Sequence, residues 1–310
     1  MLLLKELLLL IVGFALLVYG ADRFVEGASG IADKFGIPQL VIGLTIVAMG
    51  TSAPEAAVSI TAALKGNADI TIGNIVGSNI MNIFVILGIA SVITNIAVAK
   101  TTIRYEIPIM LFITVVLMGF GYTGASVSRL EGVLLLVLFA GYLGYMFLMC
   151  KRGEMVAESV EVSGSLWKLC GMGILGMALI IFGSDITVDA ATSLAKIFGM
   201  SERFIGLTIV ALGTSLPELV TSVIAAKKGK ADIAIGNIVG SNIFNILFVV
   251  GISALIIPVV FQPNFLIDIV IAIAAGVVLW LCVFRKKQLT RMGGILMLAC
   301  YAAYFVYLLA

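Results

Sequence analysis

Apolar stretches of roughly 20 residues, each long enough to cross the hydrocarbon core of a bilayer as a helix, recur along the whole chain between short polar segments. The pattern predicts ten membrane helices, near residues 3–31, 38–64, 70–94, 104–122, 129–150, 166–194, 202–226, 233–258, 264–284 and 291–309. The expected fold class is an all-α membrane protein. No polar segment is long enough to build a separate soluble domain. The first stretch, Met1 to Tyr19, lacks the basic start of a secretory signal, since Lys5 is followed at once by Glu6. The Gly20-Ala21-Asp22 that follows has a counterpart at Gly183-Ser184-Asp185, so the stretch reads as a retained first helix.

The pattern also repeats itself. Residues 36–89 align with residues 199–252 at a constant offset of 163 without a gap, and 34 of the 54 positions are identical. The best-matched pieces are IGLTIVAMGTSAPE against IGLTIVALGTSLPE and IGNIVGSNIMNI against IGNIVGSNIFNI. With ten helices each half holds five, and an odd number makes the second half insert upside down relative to the first. The expected organisation is a first half over 1–150, a short linker over 151–165 and an inverted second half over 166–310. Loop charges test this layout. Thirteen Lys and Arg fall on one side against five on the other, which puts both termini outside and the linker in the cytoplasm.

Composition sharpens the picture. The chain is 62% hydrophobic and 12% charged, where a soluble globule would carry about a quarter charged residues. There is no histidine, which removes the usual general base and the commonest transition-metal ligand. The four cysteines, Cys150, Cys170, Cys282 and Cys300, form no Cys-x-x-Cys pair, so neither a disulfide framework nor a zinc site is expected.

Against this apolar background a few polar residues stand out, because ionisable side chains at the bilayer centre are costly and usually functional. Glu55 and Glu218 occupy equivalent positions in the middle of the second and seventh helices, each after Gly-Thr-Ser-x-Pro. Pro54 and Pro217 cannot donate to the carbonyls of Gly50 and Gly213, so each helix is expected to break there and release backbone oxygens. Thr51 is four residues from Glu55, which brings hydroxyl, carbonyl and carboxylate to one side of the break. On the third and eighth helices Asn74, Ser78 and Asn82, and likewise Asn237, Ser241 and Asn245, recur every four residues and share a face. Asn74, Asn79, Asn237 and Asn242 read as glue between helices, with Gly73, Gly77, Gly236 and Gly240 permitting close approach. Ser78, Asn82, Ser241 and Asn245 read as ion ligands. All these donors are oxygens, which suits Ca²⁺, Na⁺ or Mg²⁺; a dehydrating cage favours Ca²⁺ or Na⁺.

Gly50-Thr51-Ser52-Ala53-Pro54-Glu55 and Gly213-Thr214-Ser215-Leu216-Pro217-Glu218 resemble the paired α-repeats of the sodium/calcium exchanger family, prokaryotic type. Gly77-Ser78-Asn79-x-x-Asn82 and Gly240-Ser241-Asn242-x-x-Asn245 complete the likeness. It implies exchange of Ca²⁺ against Na⁺, in some branches with K⁺ and in others against H⁺. It also implies a calcium site made by the carboxylates of Glu55 and Glu218 and the main-chain oxygens of Thr51 and Thr214. Sodium sites would add the carbonyls of Ala48 and Ala211 and the side chains of Ser52, Ser78, Ser215 and Ser241, with Asn82 and Asn245 lining the centre. Many members carry Asp where Asn245 stands, which leaves two carboxylates here; the amide mimics a protonated Asp. The large regulatory domain of animal members has no room in the short linker.

The resulting expectation is a secondary antiporter and not an enzyme, without cofactors, whose substrates are Ca²⁺ and Na⁺. It would work as a monomer in a plasma-membrane bilayer, binding no nucleic acid, with the first and sixth helices sliding across a fixed core. The nearest alternative is an H⁺/Ca²⁺ exchanger with the same site, since carboxylates can carry protons. An intramembrane hydrolase using Ser52 or Ser215 lacks a base, and a passive channel fits poorly with a closed cage of carboxylates.

Overall fold

The computed structural model describes residues 2–66, 69–152, 165–199, 211–262 and 264–309. Helix α1 (Leu2–Phe35) leads into α2, which is broken into Gln39–Thr51 and Ala53–Leu64. Helix α3 runs from Asp69–Met81 through Asn82–Leu87 and Gly88–Ile93. Helices α4 (Thr102–Gly124) and α5 (Arg129–Arg152) complete the first half. The second half repeats the order with α6 (Leu166–Ile197), α7 (Ala211–Thr214, then Leu216–Lys227) and α8 (Ala231–Ile256). Helices α9 (Asn264–Phe284) and α10 (Arg291–Leu309) end the chain.

Among the described residues eight helices are long and apolar enough to cross a membrane, and the bent α2 makes a ninth. Residues 153–164 of the expected linker, and residues 202–210 where the seventh helix was expected to start, lie outside the described residues. Large apolar side chains such as Ile11, Phe112, Val137, Trp167, Ile174, Phe182 and Leu281 point outward. That is the arrangement of a protein whose solvent is lipid. Helices α3 and α8 are the most buried and form the centre, while α1, α6 and α10 lie at the outside.

The two halves meet reciprocally. Two short strand pairs, not anticipated from the hydrophobic pattern, tie loops of one half to loops of the other. They join β1 (Ile96–Ala97) to β4 (Gln288–Leu289) and β2 (Ser126–Val127) to β3 (Val259–Val260). β1 and β3 are repeat equivalents, as are β2 and β4, so exchanging the halves turns one pair into the other.

Helices α1 and α6 pack antiparallel along a glycine seam. A Cβ at Gly176 would lie 2.5 Å from the Phe24 backbone nitrogen and 2.7 Å from the Gly20 carbonyl; one at Gly27 would meet Gly173 N at 2.7 Å. Only glycine lets these backbones approach so closely. Replacing Gly176 by Leu is expected to force the pair apart at an overpacking cost of about 1–3 kcal/mol. A thermal melt of the purified variant that matches wild type would contradict the seam.

Helix α4 starts earlier than the pattern suggested, at Thr102, with a widened π-helical turn through Glu106. Similar wide turns occupy Gly43–Val47 in α2, Asn82–Leu87 in α3 and Asn245–Val250 in α8. Such turns are rare and gather at functional sites. Those at Asn82 and Asn245 begin on equivalent residues of the two repeats.

Candidate cation-binding site

The breaks in α2 and α7 build the site. Helix α2 bends by 50° where its two segments meet at Ser52. Ser52 (φ −82°, ψ 8°) and Ser215 (φ −92°, ψ 4°) hold nearly the same backbone conformation, in the sparsely populated bridge region. Glu55 and Glu218 fall in the first turn of the segments that follow, where the positive end of the helix dipole favours a carboxylate. The preceding segments, Ala48–Thr51 and Ala211–Thr214, direct the negative ends of their dipoles to the same place, which favours a cation. One freed carbonyl is already satisfied. The Gly213 oxygen, left without a donor by Pro217, accepts from Ser184 Oγ of α6 at 2.9 Å. The repeat equivalent of Ser184 is Ala21, so α1 offers Gly50 no such hydroxyl.

The two carboxylates are buried and lie close enough to interact. Each is met by the other half's serine: Ser52 Oγ donates to Glu218 Oε1 at 2.8 Å, and Ser215 Oγ to Glu55 Oε1 at 3.4 Å. Ser78 stands beside Glu55 and Thr51 beside Glu218. The other oxygen of each, Glu55 Oε2 and Glu218 Oε2, is buried with no hydrogen-bond donor among the described residues.

The central asparagines orient one another. Asn79 Nδ2 donates to the Asn242 backbone carbonyl at 3.2 Å, and Asn242 Nδ2 to the Asn79 carbonyl at 3.2 Å. A backbone carbonyl can only accept, so both amides are fixed with nitrogen toward it and oxygen away. Asn242 Oδ1 must then be met by a donor, and Asn82 Nδ2 supplies it at 3.0 Å; Asn245 Nδ2 does the same for Asn79 Oδ1 at 3.1 Å. The hydrogen-bond chain ends at Asn82 Oδ1 and Asn245 Oδ1, both buried and without a donor among the described residues. Four unmet oxygens thus occur as two repeat-equivalent pairs. Buried oxygens are ordinarily paired, so a set this regular calls for a partner that supplies positive charge.

The donation from Asn245 to Asn79 also bears on the missing third acid. An ionised Asp at 245 would set two acceptors against each other, whereas an amide donates as a protonated acid would. Among the described residues no three acidic or cysteine side chains cluster, so the site's charge rests on Glu55 and Glu218.

The other expected residues fall around this centre. Thr51 is buried, its hydroxyl 3.1 Å from the Val47 carbonyl and 2.9 Å from Asn237 Oδ1. Ala48 O accepts from Ser52 N at 3.0 Å, with Ser241 Oγ at 3.4 Å. Thr214 and Ala211 sit in the equivalent segment of α7. Asn74 and Asn237 brace helices as expected: Asn74 Nδ2 reaches Ser59 Oγ at 2.9 Å and the Glu55 carbonyl at 3.3 Å, and Asn237 Nδ2 reaches Ser222 Oγ at 3.0 Å. Ser59 and Ser222 went unnoticed in the sequence, although they are identical across the repeat.

Comparison with known proteins bears on what such a site serves. The family described as sodium/calcium exchanger protein matches residues 5–148 and 168–310. This chain belongs to the sodium/calcium exchanger family. The sodium/calcium exchanger MaX1 of Methanosarcina acetivorans is 32% identical over 344 residues, covering 97% of each chain. Inner membrane protein YrbG of Escherichia coli is 40% identical over 303 residues, covering 93% of this chain and 92% of that one. Among solved structures, the sodium-calcium exchanger NCX_Mj soaked without Na⁺ and Ca²⁺ superimposes with a TM-score of 0.86 at 31% identity over 99% of both chains. The protein is therefore a multi-pass membrane transporter, a cation/calcium antiporter of this family and not an enzyme.

Proposed function

We propose that the chain exchanges Na⁺ for Ca²⁺ by alternating access around one site shared by its two halves. The observation that carries this reading is the set of four unmet buried oxygens, Glu55 Oε2, Glu218 Oε2, Asn82 Oδ1 and Asn245 Oδ1. Two carboxylates balance one Ca²⁺, and the amide oxygens complete its shell without adding charge. Main-chain oxygens of Thr51 and Thr214 contribute to the calcium shell. Carbonyls of Ala48 and Ala211 and hydroxyls of Ser52, Ser78, Ser215 and Ser241 serve Na⁺ when it replaces Ca²⁺.

The full architecture in this reading is ten membrane helices as two inverted five-helix halves, 1–150 and 166–310, joined by a cytoplasmic linker at 151–165. Both termini lie outside, the membrane is the plasma membrane, and the working unit is a single chain. The similarity to an Escherichia coli inner membrane protein supports that location. The glycine seam makes α1 and α6 one body, and this pair slides across the core of α2, α3, α7 and α8 to expose the site to each face in turn.

Charge gives the transport its direction. With three Na⁺ in place of one Ca²⁺ the site carries about +1, so a potential of 100 mV biases each cycle by roughly 2.3 kcal/mol. Inward Na⁺ movement then drives Ca²⁺ out. In proteoliposomes loaded with Na⁺ and diluted into Na⁺-free buffer, Ca²⁺ uptake is expected, and an inside-positive potential should speed it by drawing the net charge outward with Na⁺. Uptake driven only by a pH gradient, with Na⁺ irrelevant, would make H⁺ the counter-ion at the same site.

A further inference from the structure

A third acid is buried in the first half, away from the cation site. Glu106 of α4 is fully enclosed. Its Oε1 accepts from Tyr145 OH of α5 at 2.9 Å, while Oε2 has no donor among the described residues. The hydroxyl of Thr102, one turn earlier on α4, is buried beside the carboxyl group, and among the described residues no partner stands at full hydrogen-bonding geometry to it. Among the described residues no cation pairs with this carboxyl. Among the described residues the titratable groups that face it are the phenols Tyr142 and Tyr145 of α5, and helix α8, which also packs against α4, has Asp232 in its first turn as its one charged residue. Arg104 on its own helix is exposed and lies over the Tyr105 ring. Helix α9, whose Trp280 Nε1 donates to the Ile103 carbonyl at 3.0 Å, has Asp268 as its one charged residue, twelve positions away. The neighbouring stretch of α2 from Gln39 to Pro54 has none.

A lone carboxylate in such a place is costly. The neutral acid fits it: Tyr145 donates to one oxygen, and the proton on the other is donated to Thr102 Oγ1, meeting both unpartnered atoms together. A link toward the cation site exists as well. Tyr142, one turn before Tyr145, donates to the Leu44 carbonyl at 3.4 Å, in the wide turn of α2 that ends just before Ala48.

The second half provides a contrast. Tyr304 OH donates to Asp268 Oδ1 at 2.9 Å, with Tyr301 one turn before it. The acid–phenol pair alone is thus a clamp between the fourth and fifth helices of each half. Asp268, however, is only half-buried and leaves no orphaned oxygen among the described residues. Among the described residues, full burial and the unmet hydroxyl distinguish Glu106 from Asp268, and Tyr142 carries the reach to α2.

We propose that Glu106, with Thr102 and Tyr145, is a proton-binding site separate from the cation site, and that Tyr142 passes its protonation state to α2. Transport would then respond to pH on the side of the membrane where α4 begins. The test combines infrared difference spectroscopy on pH jumps with Ca²⁺ flux across a pH series, using the full chain in lipid. Wild type should display a titrating carboxylic-acid band that is absent in Glu106→Gln, a neutral near-isostere of the bound-proton state. Flux in Glu106→Gln should persist while its pH dependence flattens. Tyr145→Phe removes a hydrogen-bond donor from the carboxyl group, so it should move the midpoint of the band and of the flux profile together. Asp268→Asn should leave both readouts as in wild type. An unchanged band and pH profile in Glu106→Gln would overturn the proposal. So would loss of flux at every pH in both Glu106→Gln and Tyr145→Phe, because that would put Glu106 in the transport machinery itself.

Discussion

Ca²⁺ exchange is expected to be lost when either Glu55 or Glu218 is replaced by Gln. The substitution keeps shape and leaves one negative charge to hold a divalent ion in a buried site. Removing one partner from a buried ion pair costs about 3–5 kcal/mol, equivalent to roughly a hundred- to several-thousandfold in Ca²⁺ affinity. Because the two residues are equivalent across the repeat, the two variants should fail to a similar degree. Their folds should survive, since Ser215 and Ser52 can still donate to the remaining amide oxygen. Radioactive Ca²⁺ flux into liposomes, with thermal melts as a control, reads both properties. Retained flux in either variant would mean that the ion binds elsewhere.

The second large effect is expected at a residue that touches no ion in the proposed site. Asn79→Leu removes the acceptor of Asn245 Nδ2 and the donor to the Asn242 carbonyl. The Asn245 amide is then a buried donor without a partner, costing about 1–3 kcal/mol. Released from its tether, it can turn its nitrogen toward the place where a cation needs oxygen. Ca²⁺ affinity should fall roughly ten- to hundredfold together with a lower melting temperature. Asn242→Leu should do the same through Asn82, its partner in the other half. If one variant weakens Ca²⁺ and the other does not, the two asparagine chains are not equivalent.

The sequence carried the outline because its strongest features are local. Helix positions follow from runs of apolar residues, and each break follows from a proline four residues after a glycine. The duplicated Glu55 and Glu218 announce themselves as charges in apolar surroundings. Contacts between the halves were harder to foresee. The reciprocal bonds of Asn79 and Asn242 depend on how α3 and α8 cross, and spacing along one helix says only that these residues are available for gluing. Ser184 was visible as part of Gly183-Ser184-Asp185, but its bond to Gly213 O depends on packing of α6 against the break. Glu106 was hidden by a boundary. An expected start at residue 104 leaves it near water, whereas the wide turn from Thr102 and the two tyrosines of α5 enclose it.

In the proposed cycle one Ca²⁺ is held between Glu55 and Glu218, and Na⁺ competes for the same oxygens. Equilibrium Ca²⁺ binding to the purified protein in lipid nanodiscs, titrated at several Na⁺ concentrations, addresses it directly. The expected result is one Ca²⁺ per chain, displaced by Na⁺ more steeply than one for one, with no binding in Glu218→Gln. Ca²⁺ binding that ignores Na⁺, or that survives in Glu218→Gln, would contradict it.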